Sequence, residues 1–151
     1  MAAPAKIVPW LHAGLRWALA ATFLYAGGAK VLDPARFVAD LDNYQLVPAV
    51  VAYLIGLFVP WAEIVGAAAL LTGRWRLGGW LLTFLLGTGF AVFVGSAWLR
   101  GLDISCGCFG SGPQANVTGW ATVRTSLFPL LAAAGLWYEL RWGTAVSVPT
   151  G

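Results

Sequence analysis

Residues 77 to 99, "LGGWLLTFLLGTGFAVFVGSAWL", run for 23 positions without a charged side chain. A helix of that length rises about 34 Å, and about 20 apolar residues suffice to cross the hydrocarbon core of a bilayer. In lipid the backbone must satisfy its own hydrogen bonds, so a run of this kind folds as a helix. The rest of the chain is compatible with that setting. With 60% hydrophobic and 10% charged residues and a mean hydropathy of +0.77, a chain of 151 residues lacks the charged coat of a water-soluble domain.

Three other segments approach spanning length. Residues 47 to 71, "VPAVVAYLIGLFVPWAEIVGAAALL", contain Pro60 and Glu63. Residues 11 to 32 have 13 uncharged positions between Arg16 and Lys30, and reach spanning length if both cations extend along the helix toward the headgroups. Residues 120 to 140 contain Arg124 and Pro129, and proline is tolerated where neighbouring helices satisfy the freed carbonyl. The expected fold is all-α: one integral membrane domain, a four-helix bundle with spans near 11–32, 47–71, 77–99 and 120–140 and a loop over 100–119. The first span also meets the pattern of a cleaved signal peptide, with Lys6 and Arg16 before a short apolar stretch ending in "YAGGA"; the family resemblance given below reads it as a span.

A net charge of +3 and a pI near 9.2 raise the question of nucleic acid. The nine basic residues are scattered singly, with no basic run or helical stripe, which excludes that class. Four spans place both termini and the loop at residues 72 to 76 on one side, with Lys6, Arg16, Arg74, Arg76 and Arg141 against Lys30, Arg36, Arg100 and Arg124. The short Arg74/Arg76 loop is the better indicator of the cytoplasmic face. Both termini are then cytoplasmic, and loop 100–119 faces the oxidising side, where disulfides persist.

That loop contains "LDISCGCFGSGPQ", with both cysteines of the chain, Cys106 and Cys108. As a staple the pair would hold little: closing so small a loop removes about 1.6 kcal/mol of denatured-state entropy, against about 3 for a 15-residue loop. So small a ring is strained, and strained, exposed disulfides are the exchangeable ones. Three readings stand: a redox-active dithiol, an inert pair, or a copper(I) or zinc site. Two sulfurs are incomplete for zinc, and the only histidine, His12, is expected across the membrane. Arg100 and Arg124 border the loop, and a nearby cation favours the thiolate; headgroup anchoring is their plainer role.

Ionisable residues within spans are candidate functional groups. Antiparallel packing of the first two spans puts Arg16 and Glu63 at similar depth, so an Arg16–Glu63 ion pair is expected, either structural or involved in proton movement. Lys30 and Tyr25, on the outer half of the first span, are candidates to face a polar cavity or a quinone head group, with interface anchoring the plainer role for Lys30. Tryptophans 10, 61, 75, 80, 98, 120, 137 and 142 read as an aromatic belt. Glycines 27, 28, 56, 66, 87 and 89 read as close helix contacts.

The order and spacing of "LRWALAATFLYAGGAKVLDPARFVADLDNYQLVP", "VPWAEIVGAAALLTGRWRLGGWLL" and "SCGCFG" resemble the MauE/DoxX group of membrane proteins over about residues 12 to 140. The matching features are Arg16, Phe23, Gly27, Lys30, Phe37, Tyr44 to Pro48, Pro60, Glu63 and the final CxCFG, and that last motif favours the MauE branch. The resemblance implies a multi-pass protein of the bacterial inner membrane that supports periplasmic disulfide formation alongside a thioredoxin-like partner, in the setting of methylamine utilisation. DoxX relatives add a link to quinones. Thiol oxidases of the vitamin K epoxide reductase type resemble this architecture but use two cysteine pairs. With one pair, Cys106 and Cys108 must meet donor and acceptor directly or exchange with a single soluble protein. The competing reading is a non-enzymatic assembly factor, or a copper-binding membrane protein whose loop holds a client or metal.

Overall fold

The computed structural model describes residues 7–73, 75–101 and 119–142, and all the regular structure among them is helical. Four long helices, α1 (Ile7–Leu32), α3 (Ala49–Thr72), α4 (Arg76–Leu99) and α5 (Gly119–Trp142), are accompanied by a short one, α2 (Pro34–Asn43). By length and composition α3 and α4 qualify as membrane-crossing helices. Their surfaces fit that setting, since Phe58, Trp61, Val65, Leu81, Leu85 and Val92 all lie exposed.

The expected spans did not include α2, and its local chemistry is plain. Asp33 caps it by accepting a hydrogen bond from the Arg36 backbone N–H at 3.1 Å, and Pro34 starts it where no amide donor is needed. Phe37, Leu41 and Tyr44, spaced four and three residues apart, form its buried stripe. The first two pack with Ala52 of α3. The chain then turns through Gln45, at φ +48°, and Pro48 precedes α3. Burial holds the Asp40 carboxyl of α2 above its usual range, against the lowering influence of Arg36. A raised folded-state value stabilises the fold below the ordinary aspartate range, and that contribution is lost as pH rises through the raised value. Asp40→Asn is therefore expected to flatten the acid-side slope of thermal stability against pH; an unchanged slope would remove Asp40 as its source.

Packing is densest between α4 and α5 and between α1 and α3, followed by α3 and α4, while α1 and α5 meet sparsely. Small residues set the close approaches. A methyl group on Gly27 would stand 2.9 Å from the Pro60 carbonyl oxygen, one on Gly79 2.9 Å from the Leu70 nitrogen, and one on Gly87 3.3 Å from the Pro129 nitrogen. Gly56 meets Val38, Gly66 meets Leu82, and Gly135 meets the Trp80 ring. Of the glycines expected at contacts, Gly28 and Gly89 face open space, whereas Gly79 and Gly135 were not expected there. The core joins Leu19, Ala20 and Phe23 of α1 to Ala67 and Leu70 of α3, Trp80 of α4 and Ala132 of α5. Trp80 is thus a core residue at 0% exposure and not part of an aromatic belt, whereas Trp10, Trp75, Trp98 and Trp137 are exposed near helix ends and Trp61 is exposed midway along α3.

Candidate functional site

A buried ion pair joins α1 to α3. The Lys30 ammonium donates to both oxygens of Glu63, at 2.6 and 2.8 Å, with the side chains 3% and 1% exposed. Phe90 of α4 and Phe37 of α2 stand 4.3 and 5.2 Å from the nitrogen, ring centroid to cation. Two carboxylate oxygens and two aromatic faces thus replace the water that the ammonium has lost.

The expected partner of Glu63 was Arg16, and the structure corrects this. Gly27 packs beside Pro60 and Glu63, which fixes the register of α1 against α3. Lys30 lies one turn beyond Gly27 and reaches the carboxylate. Arg16 lies eleven residues before Gly27, about 16 Å along the axis and out of reach. The sequence estimate of depth lacked α2. That helix packs along the first two turns of α3, at Ala52 and Gly56, so α1 ends deeper than two full-length antiparallel spans would suggest.

The pair closes one end of a small pocket of about 40 Å³. Thr22, Phe23 and Ala26 of α1, Gly87 and Phe90 of α4, and Thr125 and Phe128 of α5 complete its lining. It lies at the sparse α1–α5 seam, and it has room for about three waters, at roughly 12 Å³ per water centre. Phe90 also borders a larger, apolar hollow of about 180 Å³ walled by α2, α3 and α4. Only the smaller pocket combines apolar walls with charge. The expected Tyr25 is absent from its lining and is 63% exposed. Residues 25 and 30 are about 140° apart around a helix, so they do not share a face.

Arg100 follows α4 as its C-cap, and its Nη1 donates to the Tyr44 carbonyl oxygen at 2.8 Å, tying the start of the loop to the end of α2. The Tyr44 ring packs edge-on against Phe93 of α4. Arg124 falls within α5, and the role proposed for its side chain lies outside the described residues, as do Cys106 and Cys108. The loop leaves the described chain at Gly101 and returns at Gly119, six residues before the pocket residue Thr125. Residues singled out by pattern gather here: Phe23, Lys30 and Glu63 line the pocket, Gly27 and Pro60 set the helix contact beneath it, and Phe37 faces the ammonium. Thr22, Phe90 and Phe128 had no sequence signal beyond their place on apolar helices.

No solved structure matches the chain. A methylamine utilization protein MauE from Paracoccus versutus is 30% identical over 147 residues, covering 95% of this chain and 78% of the relative. The family model described as methylamine utilisation protein MauE matches residues 8–138, so the chain belongs to the MauE family.

Proposed function

We propose that this chain is a multi-pass protein of the bacterial inner membrane that serves methylamine utilisation by supporting disulfide formation in a periplasmic client. The observation that carries the reading is the Cys106–Gly107–Cys108 pair in a chain of this family. Both termini are assigned to the cytoplasm and loop 100–119 to the periplasm. A client thiolate attacks one sulfur of the Cys106–Cys108 disulfide, giving a mixed disulfide and a free thiolate on the other cysteine. A second client thiolate then resolves the mixed disulfide. The client gains a disulfide, and the loop gains two electrons and two protons as a dithiol. The disulfide of a thioredoxin-like protein takes these up and restores the loop. Reoxidation is assigned to the protein partner, with a quinone as the alternative acceptor.

The test is a pair of single-cysteine variants. Cys106→Ala and Cys108→Ala are each expected to abolish client oxidation in cells, and one of them is expected to accumulate a reducible covalent adduct with a thioredoxin-like protein or client. Undiminished client oxidation in both variants overturns the reading. So does stoichiometric copper in purified protein that is lost on alkylation, because it would make the pair a metal site.

A further inference from the structure

At the end of the helices opposite the loop, His12 and Arg16 of α1, Arg76 and Trp80 of α4, and Glu139 and the Gly135 carbonyl of α5 gather around the His12 ring. His12 Nε2 lies 3.3 Å from the Gly135 carbonyl oxygen and 3.7 Å from Glu139 Oε2. Its ring is 5.2 Å from that of Trp80. Arg76 Nη1 stands 3.9 Å from Glu139 Oε1, too long for a hydrogen bond. Three donors here are buried and have no hydrogen-bond partner among the described residues: Arg16 Nε, Arg76 Nε and Trp80 Nε1. Trp80 is wholly buried, so its N–H cannot turn to bulk solvent.

Buried donors left unsatisfied are among the more costly features a fold can carry. This cluster has two arginines and one carboxylate, a net positive charge even with His12 neutral. Arginine forks match the oxygens of an oxyanion. The α4 N-terminus adds to the bias, because Trp75 supplies no side-chain cap to its first N–H groups. The cluster is flanked by the exposed Trp10, Trp75 and Trp137, side chains that mark headgroup depth in a membrane protein.

We propose that this cluster is a binding site for a phosphate-class oxyanion, filled in the membrane by the headgroup of an anionic phospholipid and held by Arg16, Arg76 and the Trp80 N–H. The assignment does not depend on the cysteine pair. The full chain, delipidated in detergent, is transferred to phosphatidylcholine alone or to an equal mixture with phosphatidylglycerol; a third sample receives inorganic phosphate. Thermal midpoint and retained lipid, counted by native mass spectrometry, are the readouts. Phosphatidylglycerol is expected to raise the midpoint and to stay bound to the wild type. Arg16→Gln and Arg76→Gln are each expected to weaken retention about tenfold or more, the loss of a charge-assisted hydrogen bond. Trp80→Phe, which removes the N–H and keeps an aromatic ring, does the same should either arginine variant fold poorly. Arg36→Gln, at the other end of the molecule, leaves retention unchanged. The same arginine-dependent shift with inorganic phosphate supports the oxyanion site and assigns it to a free anion. The proposal is overturned if neither probe shifts the wild type, or if all variants respond as the wild type does.

Discussion

Replacing Glu63 with glutamine lowers the stability of the folded chain by about 3 to 5 kcal/mol, the cost of breaking a buried ion pair by removing one partner. Glutamine keeps the shape and one acceptor but leaves the Lys30 ammonium without a counter-charge, at 3% exposure and between two phenylalanine rings. The companion substitution decides what the loss means. Lys30→Met in the Glu63→Gln background removes the stranded charge, and it is expected to recover much of the stability, because buried pairs are often matched by apolar residues of similar volume. Equilibrium unfolding in detergent of the two single variants and the double variant measures the coupling. A single-variant loss below about 1 kcal/mol would be the behaviour of a solvated surface pair. It would show that the pair is not closed in as described. Arg16→Gln serves as the control for the register. If it proved as costly as Glu63→Gln, and coupled to it, the carboxylate would belong to Arg16.

The second large effect lies at Gly135. On an exposed helix, Gly→Ala stabilises by about 1 kcal/mol through backbone entropy. Here the added methyl group would strike the Trp80 ring, which is wholly buried against α5. Overpacking a tight core costs about 1 to 3 kcal/mol. The sign therefore reverses: Gly135→Ala is expected to be destabilising, and Gly135→Leu to separate α4 from α5. Gly28→Ala, on a surface with nothing within 4 Å of the new methyl, is expected to be neutral or stabilising. Trp80→Leu should reduce the penalty at position 135 in a double variant. Thermal unfolding of the four variants checks this, and a stabilising Gly135→Ala would show that the two helices stand farther apart.

These two sites show what could be read in the chain and what could not. The long apolar runs with their interrupting prolines gave the four long helices to within a few residues, because span length is a property of the sequence alone. Helix α2 was passed over for a different reason. Its signals, Asp33 before Pro34 and apolar residues at 37, 41 and 44, are ordinary for a short amphipathic helix, but a search for spans of about 20 residues does not register ten. That omission carried into the site. The ends of the spans alone set Arg16 level with Glu63, whereas the level that α2 occupies beside α3 brings Lys30 there. The ionisable residues themselves were legible, since a charge within an apolar run is conspicuous. Their pairing was not, because it depends on where Gly27 meets Pro60. Trp80 illustrates the same limit: its place near a helix end suggested lipid, and the absence of a side chain at Gly135, more than fifty positions later, lets it turn inward.

The position of the Lys30–Glu63 pair has a consequence for how the chain enters the membrane. A charge near the centre of an inserting helix costs about 2.5 to 3.5 kcal/mol. Glu63 stands fourteen residues from the start of α3 and nine from its end, well inside the span. The two charges come from different helices, and α2 and the first half of α3 must be synthesised before they can meet. Lys30, in the last turn of α1, is therefore without its counter-charge until the third helix arrives. Under the four-span topology proposed for this chain, insertion of α1 and α3 is coupled by electrostatic neutralisation between residues thirty-three positions apart.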